Sequence, residues 1–312
     1  MHHRFGPGSL MLLGEHAVLY GRRALVCAVD RRIRVTLRPA AGDRVRIESA
    51  LGRVETTLGR LRIRKPFRFV LASVDAFRGQ LPSGFNCVIE SDLSHEVGFG
   101  SSAAVTVATC AALMRWRTGR VARQPLFERS REIIRRVQGA GSGADAAASV
   151  FGGMIAYRAA PLRRVRLKGS FPITALYSGG KTPTPEVIAR VRRAHDRHPR
   201  LFDAVFDAMD VSVREAAAAI RRKQWSRVGE ILDAGQGLME AIGVSNARLS
   251  EMVCALRSDP DILGAKISGS GLGDCVIGLG RSRRDNWPWP ALPVRITQTG
   301  VTTAREYPER AP

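Results

Sequence analysis

The chain is poor in lysine, in aromatic residues and in long apolar runs, and each shortage removes a class of reading. Only five of its 49 basic residues are lysines (Lys65, Lys168, Lys181, Lys223 and Lys266), against 28 acidic residues, so the net charge of +21 is an arginine excess. The arginines are spread along the whole chain, and aromatic residues make up only 6 % with no interleaving on one face. That pattern fits a solvated basic shell that attracts anions better than a specific nucleic-acid surface. No apolar run reaches the roughly 18 residues of a membrane span, and Met1 to Gly8 lacks the apolar core of a signal peptide, so a cytosolic protein is expected. The five cysteines, Cys27, Cys87, Cys110, Cys254 and Cys275, form no CxxC pair and are odd in number. They read as reduced core thiols, which sets aside a zinc site and a disulfide framework.

What the chain does have is length and apolar content: 312 residues, 45 % of them hydrophobic, suffice for two packed units. Short β-type runs occupy the first third, at Ala24 to Val29, Arg32 to Leu37, Arg44 to Glu48 and Phe85 to Ile89. Helical periodicity appears at Phe69 to Phe77, Ser102 to Arg117 and Leu126 to Val137. Two more strands follow, at Gly152 to Tyr157 and Val165 to Leu167, and another at Pro172 to Tyr177. Four helices come next, between Glu186 and Leu256, and strands at Ala265 to Ser268, Asp274 to Leu279 and Val294 to Thr297 close the chain. Strands and helices that do not alternate regularly predict an α+β fold of two lobes. The division, near Pro161 to Pro172, gives domains 1–165 and 166–312. Trp287 to Pro290 reads as a rigid turn before the last strand.

Three glycine-rich stretches carry the chemistry. Gly98, Phe99, Gly100, Ser101, Ser102 and Ala103 open directly onto an apolar helix, where the first N–H groups have no partner and attract an anion such as phosphate. Gly139 to Gly143 delivers Asp145 into a run of alanines, either as the N-cap of a helix over Ala146 to Val150 or, lacking local partners, as a group that serves a ligand. Ser268, Gly269, Ser270, Gly271, Leu272, Gly273 and Asp274 lie between two strands, a turn in their own right. A fourth stretch, Pro7 to Gly21, leads from a strand into a loop that presents Glu15 and His16; the histidine is either structural or part of a site.

Taken together, PGSLMLLGEHAVLYG, GFGSSAA, GSGAD with FGG after it, and KISGSGLGD resemble the GHMP small-molecule kinase superfamily, which includes galactokinase, homoserine kinase, mevalonate kinase and phosphomevalonate kinase. GEHAVLYG and VSNARLSEMV are most similar to the mevalonate kinase branch. The likeness runs from residue 5 to about 280. It implies a ribosomal-protein-S5-like N-terminal lobe that binds ATP and a ferredoxin-like C-terminal lobe. It also implies Mg²⁺ and transfer of the γ-phosphoryl group to a small-molecule hydroxyl, with mevalonate going to 5-phosphomevalonate as the leading reaction. A phosphomevalonate or sugar kinase, and a noncatalytic polyanion-binding descendant, are the alternatives. By the same resemblance Asp145 is the catalytic base or orienter, and Gly98, Gly100, Ser101, Ser102 and Ala103 hold the nucleotide phosphates, with the Ser102 hydroxyl on the metal. Glu15, His16, Ser142, Thr184, Gly269, Ser270 and Gly271 fall on the acceptor side. The partner implied is a small hydroxyl compound, with a homodimer allowed and neither a specific nucleic acid nor a membrane.

The chain departs from the family at two positions. The family lysine after the first Pro-Gly is Ser9, and the glutamate eleven residues before the catalytic aspartate is Ile134. Glu132, two residues out of register, is either a substitute metal ligand or a solvated helix residue. Lys181, within a Gly-Gly-Lys-Thr-Pro-Thr segment, is the candidate replacement cation and the second catalytic assignment. Ala175 to Thr182 also fits a relaxed P-loop, but Pro183 pushes Thr182 away from helical geometry, against that reading.

Overall fold

The computed structural model describes residues 2–93 and 99–303, the side chain of residue 293 apart. The first sheet is built from β1 (His2–Leu13), β2 (Arg23–Pro39), β3 (Arg44–Ser49) and β4 (Gly52–Thr57), followed by helix α1 (Arg68–Phe77) and β5 (Phe85–Ser91). Helices α2 (Ser101–Thr118), α3 (Arg123–Gln138) and α4 (Ala144–Phe151) come next, and β6 (Met154–Ala159) and β7 (Leu162–Leu167) complete the sheet. The strand order is β4-β3-β5-β2-β6-β7 with β1 on the other side of β2, and only the β3–β5 pairing is parallel. β2 is the spine, because β1 covers one edge while β6 and β5 share the other. Its run Ala24–Val29 is wholly buried, as a strand covered on both faces must be.

Sequence patterning divides β2 into two strands at the charged residues Asp30 and Arg31, yet the structure has one. Arg32 is 2 % exposed, and its guanidinium donates to the carbonyls of Gly300 and Thr299 at 3.0 Å each, so the charge is satisfied without leaving the sheet. β4 escapes the pattern because Val54 is its one buried residue, the mark of an edge strand. Helix α2 presses so close to β1 that a Cβ on Gly6 would sit 2.4 Å from the Ala104 carbonyl oxygen. Its alanines make that approach possible.

The second sheet comprises β8 (Pro172–Tyr177), β9 (Ile262–Ser268), β10 (Cys275–Gly280) and β11 (Ala291–Arg295), all antiparallel in the order β11-β8-β10-β9. Between β8 and β9 run α5 (Thr184–Arg197), α6 (Pro199–Arg221), α7 (Trp225–Ala241) and α8 (Ala247–Arg257). They help to close a second core, which also holds Trp287 and Trp289 from the segment leading into β11. After β11 the chain returns to the first sheet, bridging Ile296 to Val29 and Thr302 to Phe5. Four cysteines are buried as free thiols, but Cys254 is exposed on α8, contrary to a uniform core placement. No helix among the described residues is long and apolar enough to cross a membrane.

Candidate active site

Five connections open on one cleft: the end of β1 with the turn after it, the entry to α2, the entry to α4, the entry to α5, and the β9–β10 loop. Three of these are helix N-termini, whose free N–H groups and dipoles favour an anion. Of the residues singled out in the sequence, the cleft brings together Glu15, His16, Gly100, Ser101, Ser102, Ala103, Ser142, Asp145, Lys181, Thr184, Gly269 and Ser270. Gly98 lies outside the described residues.

The entry to α2 is shaped by Gly100, at φ +62°, where a Cβ would fall 2.0 Å from the Ser9 hydroxyl oxygen. No side chain caps this helix. The Ala103 and Ala104 amides both donate to the Gly100 carbonyl at 2.9 Å, so Ala103 lines the cleft while its N–H is already engaged. The Ser101 and Ser102 amides, by contrast, find no backbone acceptor among the described residues. They are the donors left for a phosphate oxygen, and the Ser102 hydroxyl stands in the same first turn.

Asp145 is the second residue of α4, and Gly143 takes the N-cap position, so the reading of Asp145 as a cap is corrected. Its carboxylate accepts a hydrogen bond of 2.8 Å from the Ser9 hydroxyl, across 136 residues of sequence. Ser9 is itself held by a 2.9 Å bond from its N–H to the Phe99 carbonyl. The low-dielectric surroundings raise the Asp145 pKa, while the Ser9 hydrogen bond and the Lys181 charge oppose the rise. Lys181 pairs with Asp274 at 2.8 Å and keeps 40 % of its side chain exposed, whereas Asp274 keeps 13 %. Among the described residues that line the cleft, Lys181 is the sole lysine or arginine. The P-loop reading of its segment fails, since α5 begins only at Thr184 and the Thr182 hydroxyl donates to the Leu272 carbonyl at 2.6 Å.

On the second-lobe side, Glu15 forms a buried ion pair with Lys266 at 2.5 Å. His16 donates through Nε2 to the Ser270 carbonyl at 2.8 Å, which fixes its tautomer, and burial lowers its pKa. Gly271 stands away from the cleft. At φ +83° it packs on Val244, whose carbonyl oxygen would lie 2.4 Å from an added Cβ, so its role is structural. Glu132 is likewise corrected as a metal ligand. Ile134 and Gln138, one turn apart on α3, face the cleft, and Glu132 lies about 200° round the helix from Ile134. Its carboxylate is 68 % exposed and pairs with Arg129.

Ser9, Asp274, Gln138 and Lys266 were not assigned to the site from sequence. Asp274 carried a signal, since it closes a glycine run just as Asp145 does. Lys266 carried another, as a lone lysine between buried Ala265 and Ile267. Among the described residues no group of three or more acidic, histidine or cysteine side chains could enclose a metal. This donor set suits Mg²⁺, which keeps waters and phosphate oxygens and needs only one or two protein oxygens.

Two family models match the chain, the GHMP kinases N terminal domain over residues 68–153 and the GHMP kinases C terminal over residues 216–286. A mevalonate kinase of Archaeoglobus fulgidus is 37 % identical over 275 residues, covering 88 % of this chain and 90 % of the relative. One from Pyrococcus furiosus is 30 % identical over 302 residues, covering 89 % of each. In structure, the Methanococcus jannaschii mevalonate kinase superposes with a TM-score of 0.80 at 21 % identity, covering 95 % of this chain and 98 % of that one. The Lactococcus lactis galactokinase complexed with galactose reaches 0.81 at 20 % identity, covering 97 % and 95 %. The chain belongs to the GHMP kinase family, with that family's two-lobed α+β fold.

Proposed function

We propose that this protein is an ATP-dependent mevalonate kinase, moving the γ-phosphoryl group of ATP to the primary hydroxyl of mevalonate to give 5-phosphomevalonate. The observation that carries the reading is the 37 % identity to a mevalonate kinase over 90 % of its length. Fold alone would not decide it, because a galactokinase superposes as well as a mevalonate kinase does. The cleft adds a chemical reason: with Lys181 its sole lysine or arginine among the described lining residues, it has little positive charge for an acceptor that already carries a phosphate.

Phosphoryl transfer asks for positioning, for neutralisation of phosphate charge and for a group that receives the hydroxyl proton. In this reading the Ser101 and Ser102 amides bind phosphate oxygens, and the Ser102 hydroxyl would hold Mg²⁺ alongside them. Mg²⁺, when bound, offsets the phosphate charge. Asp145 orients the acceptor hydroxyl and takes its proton, and its raised pKa makes it a better base than an ordinary carboxylate. Ser9 holds that carboxylate in place. Lys181 offsets charge that develops on the transferring group, and Glu15, His16, Ser142, Thr184, Gly269 and Ser270 surround the acceptor. The reaction runs in the cytosol, in keeping with free cysteines. An ADP-release assay across mevalonate, 5-phosphomevalonate, galactose and homoserine tests the assignment. Mevalonate should give the highest kcat/KM; a higher value for any other acceptor overturns it.

A further inference from the structure

The turn that carries Glu15 and His16 is strained, and the restraints on its side chains come from the opposite lobe. His16 has φ 61° and ψ −54°, and the Ala17 N–H donates to the Glu15 carbonyl at 2.6 Å. Those values define a γ-turn of the positive-φ kind, which is rare and unfavourable for a residue with a side chain. Locally the Val18 N–H donates to the Gly14 carbonyl at 3.1 Å and the Leu19 N–H to the His16 carbonyl at 2.8 Å, which closes the backbone but leaves the side chains unplaced. Three bonds to β9 and the loop after it place them: the Lys266 ammonium donates to the Glu15 carboxylate, His16 Nε2 donates to the Ser270 carbonyl, and the Ser268 hydroxyl donates to the Met11 carbonyl at 2.8 Å. The Lys266 ammonium also donates to the Ile267 carbonyl.

The ion pair at the centre of this set is almost wholly dry, with side-chain exposures of 1 % for Lys266 and 3 % for Glu15. Gly235 of α7 packs beside it: a Cβ there would crowd the Leu13 side chain at 2.6 Å while only touching the lysine stem at 3.6 Å. A buried ion pair is a weak source of stability, because the loss of hydration offsets most of the attraction, and an apolar pair of equal volume serves as well. It does fix geometry. It also places a carboxylate beside the cleft without adding net negative charge to a site that receives anions.

We propose that Lys266 is a positioning residue for the acceptor: through Glu15 it locks the γ-turn and sets His16 and the Glu15 carboxylate in the orientation that grips mevalonate. This rests on the reading of the cleft as a mevalonate kinase site. The phosphate-binding first turn of α2 takes no part in these contacts, so the latch governs the acceptor and leaves the nucleotide alone.

The test compares the wild type with Glu15→Gln, Lys266→Met and the double variant, in which both charges are gone and neither is stranded. Calorimetric titration with mevalonate alone, steady-state kinetics and thermal melting are read together. The double variant should melt at or near the wild-type temperature and still bind ATP with its KM within about twofold, while the mevalonate Kd and KM rise at least tenfold. A double variant that binds mevalonate as tightly as the wild type overturns the proposal, leaving the pair a packing feature. An equal rise in the KM for ATP overturns it too, since the lobes would then have loosened as a whole. If the wild type prefers another acceptor in the panel, the functional reading moves while the latch is judged on that acceptor by the same criteria. A wild type that turns over none of them overturns both.

Discussion

Two aspartates face the same cleft and differ in their partners. Asp145, on the first lobe, accepts from a neutral hydroxyl, that of Ser9, and its pKa is raised by its low-dielectric surroundings. Asp274, on the second lobe, is paired with the Lys181 cation at 2.8 Å. A carboxylate held by a neutral donor is left open to receive a proton, whereas one tied to an ammonium serves to place that ammonium. In the proposed reading the lobes divide the work of a kinase: the first receives the proton and the second supplies the side-chain cation.

The sharpest way to break this comparison is to neutralise each aspartate in turn. Asp145→Asn should lower kcat by about 10² to 10⁴, the range for a lost general base, with ATP binding nearly unchanged by calorimetry. Full activity would remove Asp145 from the chemistry. Lys181→Met should lower kcat by at least about tenfold, equal to about 1.4 kcal/mol of transition-state stabilisation. Adding Asp274→Asn to it sharpens the contrast. The double variant should stay as slow as the single one, and a recovery to wild-type turnover would mean that Lys181 serves only to neutralise Asp274. Ser9→Ala should cost less than Asp145→Asn, roughly tenfold in kcat, because it removes one hydrogen bond to the carboxylate, worth about 1.5 kcal/mol at the low end for a charged acceptor, and leaves the base itself in place. Glu132→Ala should leave kcat and the Mg²⁺ requirement unaltered in a metal titration, since its carboxylate is solvated and paired only with Arg129.

Much of this was legible in the sequence wherever one property sufficed. The three glycine-rich loops announced helix entries and tight turns, and the cleft gathers most of their residues because those entries share one end of the sheets. Reading failed where a residue's meaning depends on a distant partner. Ser9 looked like the loss of a cation, and only the fold brings its hydroxyl to Asp145. Asp30 and Arg31 looked like a gap between two strands, but β2 runs through them, and the buried Arg32 beside them is satisfied by carbonyls near the C-terminal end. Glu132 was two residues out of register, and on a helix that displacement carries a side chain to the far face. Asp274 and Lys266 sat in plain view, one at the end of a glycine run and one between apolar strand residues, but their partners lie 93 and 251 residues away in the chain.

The claim at the centre of the account is that Asp145 receives the acceptor's proton while held by a neutral donor, and the pH dependence of kcat/KM, which reports the free enzyme, tests it most directly. Low-dielectric surroundings raise the pKa, so the ionised base is lost as pH falls through a value above that of an ordinary aspartate. The acid limb of the wild-type profile should therefore lie above the ordinary value. Ser9 stabilises the ionised form, and its removal takes away an effect that lowers the pKa. In Ser9→Ala the limb should shift to still higher pH. A limb that stays in place in Ser9→Ala, or moves to lower pH, would contradict the assignment.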